Sequence, residues 1–331
     1  MRLLIGTLIG VAALWLSFRG ESFGALADAI RQSDVLWVIA ALVSVAVTLL
    51  LVTIRWQAFF RGQERARAVP GLGHLFTGVM LGQAANIALP IRVGELLRVY
   101  VVSRAEQLAV ARVLATVALE RLADTVMVAI GAGVLVLQIA FPAWLVGPTR
   151  GLAIAGFIAA GVMGAVVAAG RPLSVLMHAR VTASTRSGLA RLARHGANAV
   201  EEAANLRDIR TLTTIAVLSV LTLLVSTTTN YLLFKAFHLE LPFVAGLLLL
   251  IVLQVGTAPV STPGSLGVFQ YLTILALSVY SVDRTQALAY SVLLYAVALL
   301  PKLLVGGVML GFATKSGLLE PGIWAKLRGR A

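Results

Sequence analysis

Arginine and carboxylate side chains set inside apolar sequence are the groups in this chain that can do chemistry. The stretch Leu89-Pro90-Ile91-Arg92-Val93-Gly94-Glu95-Leu96-Leu97-Arg98 carries two guanidinium groups and one carboxylate, with Asn86 just upstream. A guanidinium is a planar fork that fits phosphate and stays charged when partly buried. Arg92 and Arg98 flank the Pro90-to-Gly94 break, where freed backbone N–H groups can also face an anion. One reading is a site for a lipid phosphate. The other is an internal Arg–Glu lock, with Glu95 three residues before Arg98, or arginines reaching back to the interface. The residues leave both open.

A second cluster, Glu120, Arg121 and Asp124, lies in a long apolar run. Glu120 and Asp124 are one helical turn apart and share a face, with Thr116 a turn before. Such a face cannot look at lipid, so it should look at the broken segment. The two carboxylates can partner Arg92 and Arg98, or take up protons and couple transport. Lys302 follows Pro301 in a third apolar run. If that run is one span, the ammonium falls near mid-depth, beside the second broken segment. If the span ends at Pro301, it sits at the interface. Ionisable groups inside spans are costly and default to functional hypotheses.

The elements that hold these groups are broken in a matched way. Pro90 and Gly94 recur as Pro263 and Gly267, with Gly264 between them in Pro259-Val260-Ser261-Thr262-Pro263-Gly264-Ser265-Leu266-Gly267. Proline removes a backbone donor and glycine loosens a helix. Lipid-exposed backbone cannot lose its hydrogen bonds, so such breaks survive only inside protein or beside a wet cavity. Gly94, Gly264 and Gly267 are the positions where backbone can approach closely.

Composition fixes the class. The 331 residues are 59% hydrophobic and only 12% charged, with mean hydropathy +0.94; a soluble domain carries about 25% charge. The apolar runs are continuous rather than alternating, which argues against a β-barrel. The expected fold is an all-α polytopic membrane protein forming a single domain over residues 1–331. There is no cysteine, and the four histidines are scattered, so no metal or cofactor is expected. No P-loop and no defensible catalytic arrangement is present, so no enzyme activity is expected. The net charge of +13 comes from basic segments between apolar spans, as positive-inside bias requires; no nucleic-acid motif accompanies it, and nucleic acid is not expected as a partner.

Six full crossings are expected near 3–18, 35–54, 113–140, 151–169, 211–236 and 285–313. The first has no small-x-small cleavage site after it and reads as a retained span. The basic segments 55–70 (counting Arg55, Arg61, Arg65 and Arg67 against Glu64), 170–210 and the tail after 313 are placed in the cytoplasm. Segment 170–210 is expected as a basic cytoplasmic loop. Parity then makes 72–104 a hairpin that re-enters from the cytoplasm and 243–281 one that re-enters from outside. Both termini face the cytoplasm. Two opposed hairpins imply an inverted repeat; two ordinary short spans at each place are the alternative. Phe23, Leu26, Ala27 and Ile30 mark a short amphipathic helix outside. Asn230 and the run Ser226-Thr227-Thr228-Thr229 read as interhelical hydrogen-bonding groups.

The order Asn86…Leu89-Pro90-x-Arg92-x-Gly94-Glu95-x-x-Arg98, then Glu120-Arg121-x-x-Asp124, then Pro259-x-x-x-Pro263-Gly264-x-Leu266-Gly267-Val268-Phe269 resembles the transmembrane region of lysyl-phosphatidylglycerol synthase/flippase proteins, in particular stand-alone flippase-like members. The resemblance implies a bacterial or archaeal inner-membrane protein of about eight helical elements that moves lipids, or helps to move them, between leaflets. Its partner would be an anionic membrane lipid. Ser265 and Gln270 depart from the pattern, where Gly and Glu are usual, and this weakens any cationic-headgroup or proton role at the second break. The expected function is lipid translocation, with Asn86, Arg92, Glu95, Arg98, Glu120, Arg121, Asp124 and Lys302 around the headgroup. A proton-coupled small-solute transporter, and a scaffold for a lipid- or glycan-modifying membrane enzyme, are the alternatives.

Overall fold

The computed structural model describes residues 2–61, 69–89, 93–138, 143–182, 208–258 and 263–319. Among them every regular element is helical: α1 (Arg2–Phe18), α2 (Phe23–Arg31), α3 (Val35–Arg61), α4 (Leu72–Ala88), α5 (Gly94–Ala105), α6 (Val110–Gln138), α7 (Ala143–Thr182), α8 (Ile209–Ala236), α9 (Phe243–Thr257), a single 3₁₀ turn at Pro263–Ser265, α10 (Val268–Ser278) and α11 (Arg284–Lys315). Helices α3, α8 and α11, and residues 146–165 of α7, are long and apolar enough to cross a membrane. Their outward positions are large and apolar, among them Leu36, Phe157, Leu304 and Phe312. The chain is a multi-pass membrane protein.

The helix limits follow from local sequence. Ser22 caps α2, accepting from the Ala25 amide at 3.1 Å. Asp283 caps α11, accepting from Thr285 N at 2.9 Å. Such oxygens satisfy amides that have no intrahelical partner. Helix α4 stops at Ala88 because a residue before proline is pushed out of the helical region; Leu89 accordingly has φ −103° and ψ 140°.

Helices α3 and α8 form the central pair. They are joined by polar contacts inside apolar surroundings: Ser44 Oγ lies 2.8 Å from Thr229 Oγ1. Asn230 Nδ2 donates to Gly246 O at 2.9 Å, tying α8 to α9. Tyr290 of α11 stacks on Phe234 at 5.1 Å and donates to Asn230 O. In membranes such hydrogen bonds replace the hydrophobic drive that water supplies elsewhere. The amphipathic α2 packs along α11, burying Leu26.

Helices α4 and α5 are an antiparallel hairpin. Gly78 meets Val102 and Gly82 meets Gly94 and Arg98, so contacts run in opposite order along the two arms. Glu106 closes the base: its Oε1 accepts from Gly71 N at 2.8 Å and lies 2.8 Å from His74 Nδ1. The hairpin therefore ends where it begins. Helices α9 and α10 also pack together, with Gly256 against Leu272. The turn between them, at Pro263–Ser265, touches α4.

The helix limits differ from the sequence expectation chiefly at α3 and at α7, which begins at Ala143 rather than at 151. Helix α3 continues through Arg55 to Arg61 rather than ending at residue 54, because Trp56, Ala58, Phe59 and Phe60 are buried and carry the packing surface one and a half turns further. Arg55 is thus a helix residue and not a loop cation. Helix α7 extends to Thr182, so the segment expected as a loop from 170 is helical over its first part. Residues 183–207, the rest of that basic segment, lie outside the described residues, as does the basic tail from 320 on.

Candidate functional site

Three arginines and three carboxylates form a closed ring between α3, α5 and α6. Arg55 Nη2 lies 2.7 Å from Asp124 Oδ1. Asp124 Oδ2 lies 3.3 Å from Arg121 Nη1, and Arg121 Nη2 is hydrogen-bonded to Glu95 Oε1. Glu95 Oε2 lies 2.7 Å from Arg98 Nε, and Arg98 Nη2 donates to Glu120 Oε2 at 2.8 Å. Glu120 Oε1 returns to Arg55 Nη2 at 3.5 Å. Charges alternate around the ring and sum to zero. That is how six ionisable groups share an apolar bundle: each charge faces two of opposite sign, which offsets a desolvation cost of several kcal/mol per ion.

Helical spacing builds the ring. Glu120 and Asp124 sit one turn apart on α6 and reach inward together, while Arg121 lies beside them. Glu95 and Arg98 lie in the first turns of α5. Arg55 arrives from α3 and is steadied by Ser219 of α8, to which Nη1 donates at 3.3 Å. Arg98 stacks over the Trp56 ring at 4.8 Å, a cation–π contact. Trp56 is held in turn by its Nε1, which donates to Thr116 Oγ1 at 3.0 Å.

The ring has a sealed side and an open side. The side chains of Arg55, Arg98 and Glu120 are 4%, 5% and 3% exposed, against 52% for Arg121, 32% for Glu95 and 31% for Asp124. Arg55 Nε is buried without a hydrogen-bond partner among the described residues.

The other expected residues fall as follows. Asn86 Oδ1 accepts from Gly94 N at 2.8 Å, so the first arm of the hairpin caps the second. At the second break the cap comes from within α10 itself, the Gln270 Oε1 accepting from Gly267 N at 2.8 Å. The amide therefore makes a bond here that a carboxylate would also make. A Cβ at Gly94 would overlap Gly82 O, and one at Gly267 would overlap Gly10 O of α1. Gly264 (φ +58°) faces the Tyr295 hydroxyl. Pro263 opens the 3₁₀ turn. Lys302 lies within α11, half-buried, and forms no ion pair with the ring. Pro90 and Arg92 lie outside the described residues, as do Pro259, Ser261 and Thr262.

The ring brings together Glu95, Arg98, Glu120, Arg121 and Asp124. It adds one residue that sequence reasoning assigned elsewhere, Arg55. The signal for it was present: the residues after Arg55 remain aromatic and apolar through Phe60, so the helix that carries it had no reason to end at Ile54.

No curated protein matches the chain. Residues 3–306, from the first helix to the middle of the last, match the family described as lysylphosphatidylglycerol synthase TM region, and the chain belongs to that family.

Proposed function

We propose that this protein moves a phosphate-bearing lipid headgroup between the leaflets of the inner membrane while the acyl chains stay in the bilayer. The observation that carries the reading is the open side of the ring. Arg121, Glu95 and Asp124 are accessible yet held beside a broken hairpin in a membrane bundle, where ionisable groups are retained for function. The Arg121 guanidinium is a fork for phosphate. The Arg98 side chain is 5% exposed, so in this reading it braces the sealed half with Arg55 and Glu120. An arriving phosphate competes with Glu95 and Asp124 for Arg121, and the sealed half keeps the scaffold in place.

In the same reading α4–α5 and α9–α10 are re-entrant hairpins from opposite faces, related as an inverted repeat, with both termini cytoplasmic. Helix α5 has 12 residues, about 18 Å, which is short of the roughly 30 Å hydrocarbon core. The contact of Gly71 with Glu106 and of the Pro263–Ser265 turn with α4 also support it. Broken helices meeting at the midplane are the usual pointer to a substrate path.

The test is reconstitution in vesicles carrying tail-labelled phosphatidylglycerol, with a membrane-impermeant quencher outside. The wild type is expected to expose inner-leaflet label, and Arg121→Gln to slow this while remaining folded. Rates from wild-type vesicles equal to those of protein-free vesicles overturn the proposal.

A further inference from the structure

One face of α11 carries Tyr295, Leu299, Lys302, Gly306 and Met309 in a line, at alternating steps of four and three residues. The two ends of this line are occupied. At the near end the Gly264 turn rests on it: a Cβ at Gly264 would stand 3.3 Å from Leu299 Cδ2. At the far end α4 rests on it: a Cβ at Gly306 would stand 3.0 Å from Met80 O, and Thr77 Oγ1 donates to Met309 Sδ at 3.4 Å. Lys302 lies between them, roughly 5 Å along the axis from Leu299 and 6 Å from Gly306 at 1.5 Å per residue. It stands where the second hairpin's turn and the first hairpin's inner arm come together.

Three observations set Lys302 apart from an ordinary lysine. It stands far from both ends of its helix: α11 runs from Arg284 to Lys315, which places its ends about 27 Å and 20 Å away along the axis. It is half-buried in an apolar helix. Among the described residues it makes no ion pair or hydrogen bond, and every carboxylate of the ring is matched to arginine. An ammonium left without a counter-ion in such surroundings is costly, and an anion that enters between the hairpins relieves the cost.

We propose that Lys302 is a second binding position, separate from the ring, for a phosphate group where the two broken hairpins meet. The phosphate belongs to an anionic lipid headgroup or to free phosphate. The lipid source rests on the translocation reading; the site itself does not. Lysine suits a position that must release its ligand, being a point charge with rotatable donors rather than a rigid fork.

The test is binding, measured independently of transport. Full-length protein, stripped of lipid in mild detergent, is titrated with phosphatidylglycerol, phosphatidylcholine or inorganic phosphate and read by native mass spectrometry. Wild type, Lys302→Gln and Lys302→Arg are compared, each first shown to be monodisperse and cooperatively unfolding. Lys302→Gln is expected to lose one phosphatidylglycerol or weaken it about tenfold or more, the scale of one charge-assisted hydrogen bond. Lys302→Arg restores it. Displacement of that lipid by millimolar inorganic phosphate assigns the site to free phosphate; no displacement assigns it to lipid. Equal phosphatidylglycerol stoichiometry and affinity in wild type and Lys302→Gln overturns the site. Wild-type protein that binds through Lys302 but moves no lipid overturns translocation and leaves the site standing.

Discussion

Arg55 Nη2 stands 2.7 Å from Asp124 Oδ1, across the interface of two long helices, with Glu120 and Ser219 on its other sides. A residue at the end of an apolar run thereby closes a ring whose other five members lie on α5 and α6. Removing a single charge from the sealed side strands its opposite charges in the bundle. Breaking a buried pair this way costs about 3–5 kcal/mol. Glu120→Gln and Arg55→Gln are each expected to lower the unfolding midpoint in detergent markedly. The double variant should lose less than the sum, because each removes a charge the other leaves unpaired. Additive losses would show that the two do not share a network.

Gly94 sits where the two arms of the first hairpin are closest, with Gly82 O and the Asn86 side chain in the space a Cβ needs. Both obstacles belong to the arm that Asn86 uses to cap the Gly94 amide, so neither can give without losing that bond. Gly94→Ala is expected to destabilise by about 1–3 kcal/mol, as overpacking does. Gly133, toward the C-terminal end of α6, has nothing within 4 Å of a Cβ, and Gly133→Ala should be neutral or stabilise by about 0.5–1 kcal/mol. Thermal unfolding of the two variants side by side checks this; equal shifts would mean that the close approach at Gly94 does not matter.

Asp208 caps α8 through the Arg210 and Thr211 amides. Chiefly the Thr211 hydroxyl, together with those amides, holds its carboxylate below the ordinary range. A lowered carboxyl pKa means that the folded state prefers the ionised form. The cap's contribution is therefore whole above about pH 4, the unfolded value, and fades as pH falls through the lowered one. Hydrogen exchange at the 210 and 211 amides should be faster in Asp208→Ala than in wild type near neutrality. The difference should vanish in strong acid. A difference that persists there would assign the cap to something other than the carboxylate.

How much of this could be read from residues alone depends on the kind of signal. The broken hairpins were legible because proline and glycine act locally: Pro90 stops α4 at Ala88 whatever lies around it. The pairing of Arg98 with Glu95 was one of two readings left open by a three-residue spacing, and that with Glu120 one of two left open for the carboxylates; the contacts supply both pairs. The role of Arg55 was not, because a cation at the end of an apolar run serves equally as a loop charge, and only packing of Trp56 and Phe60 decides. The mid-helix position of Lys302 followed once the run across Pro301 held as one helix. Its place between the hairpins required the contacts of Gly264 and Gly306, since no spacing within α11 reports what lies against it.

The absence of cysteine from the chain makes labelling of single introduced thiols a clean test of the hairpin topology. Gly71 and Gln107 flank the base of the first hairpin, which Glu106 closes. Gly71→Cys and Gln107→Cys should react with a membrane-impermeant reagent from the cytoplasmic side. Ser281→Cys, beyond the second hairpin, should react from the opposite side. Leu89→Cys, at the tip of the first, should resist bulky reagents from both sides and react only with small polar ones that enter a wet cavity. The geometry forces the comparison: an arm of about 18 Å that starts at the base closed by Glu106 cannot carry its tip across a hydrocarbon core of about 30 Å. Free reaction of Leu89→Cys from outside, with Gly71→Cys reacting only from inside, would make α4 and α5 a pair of thin spans. The Lys302 face of α11 would then meet the headgroup region rather than the middle of the bilayer.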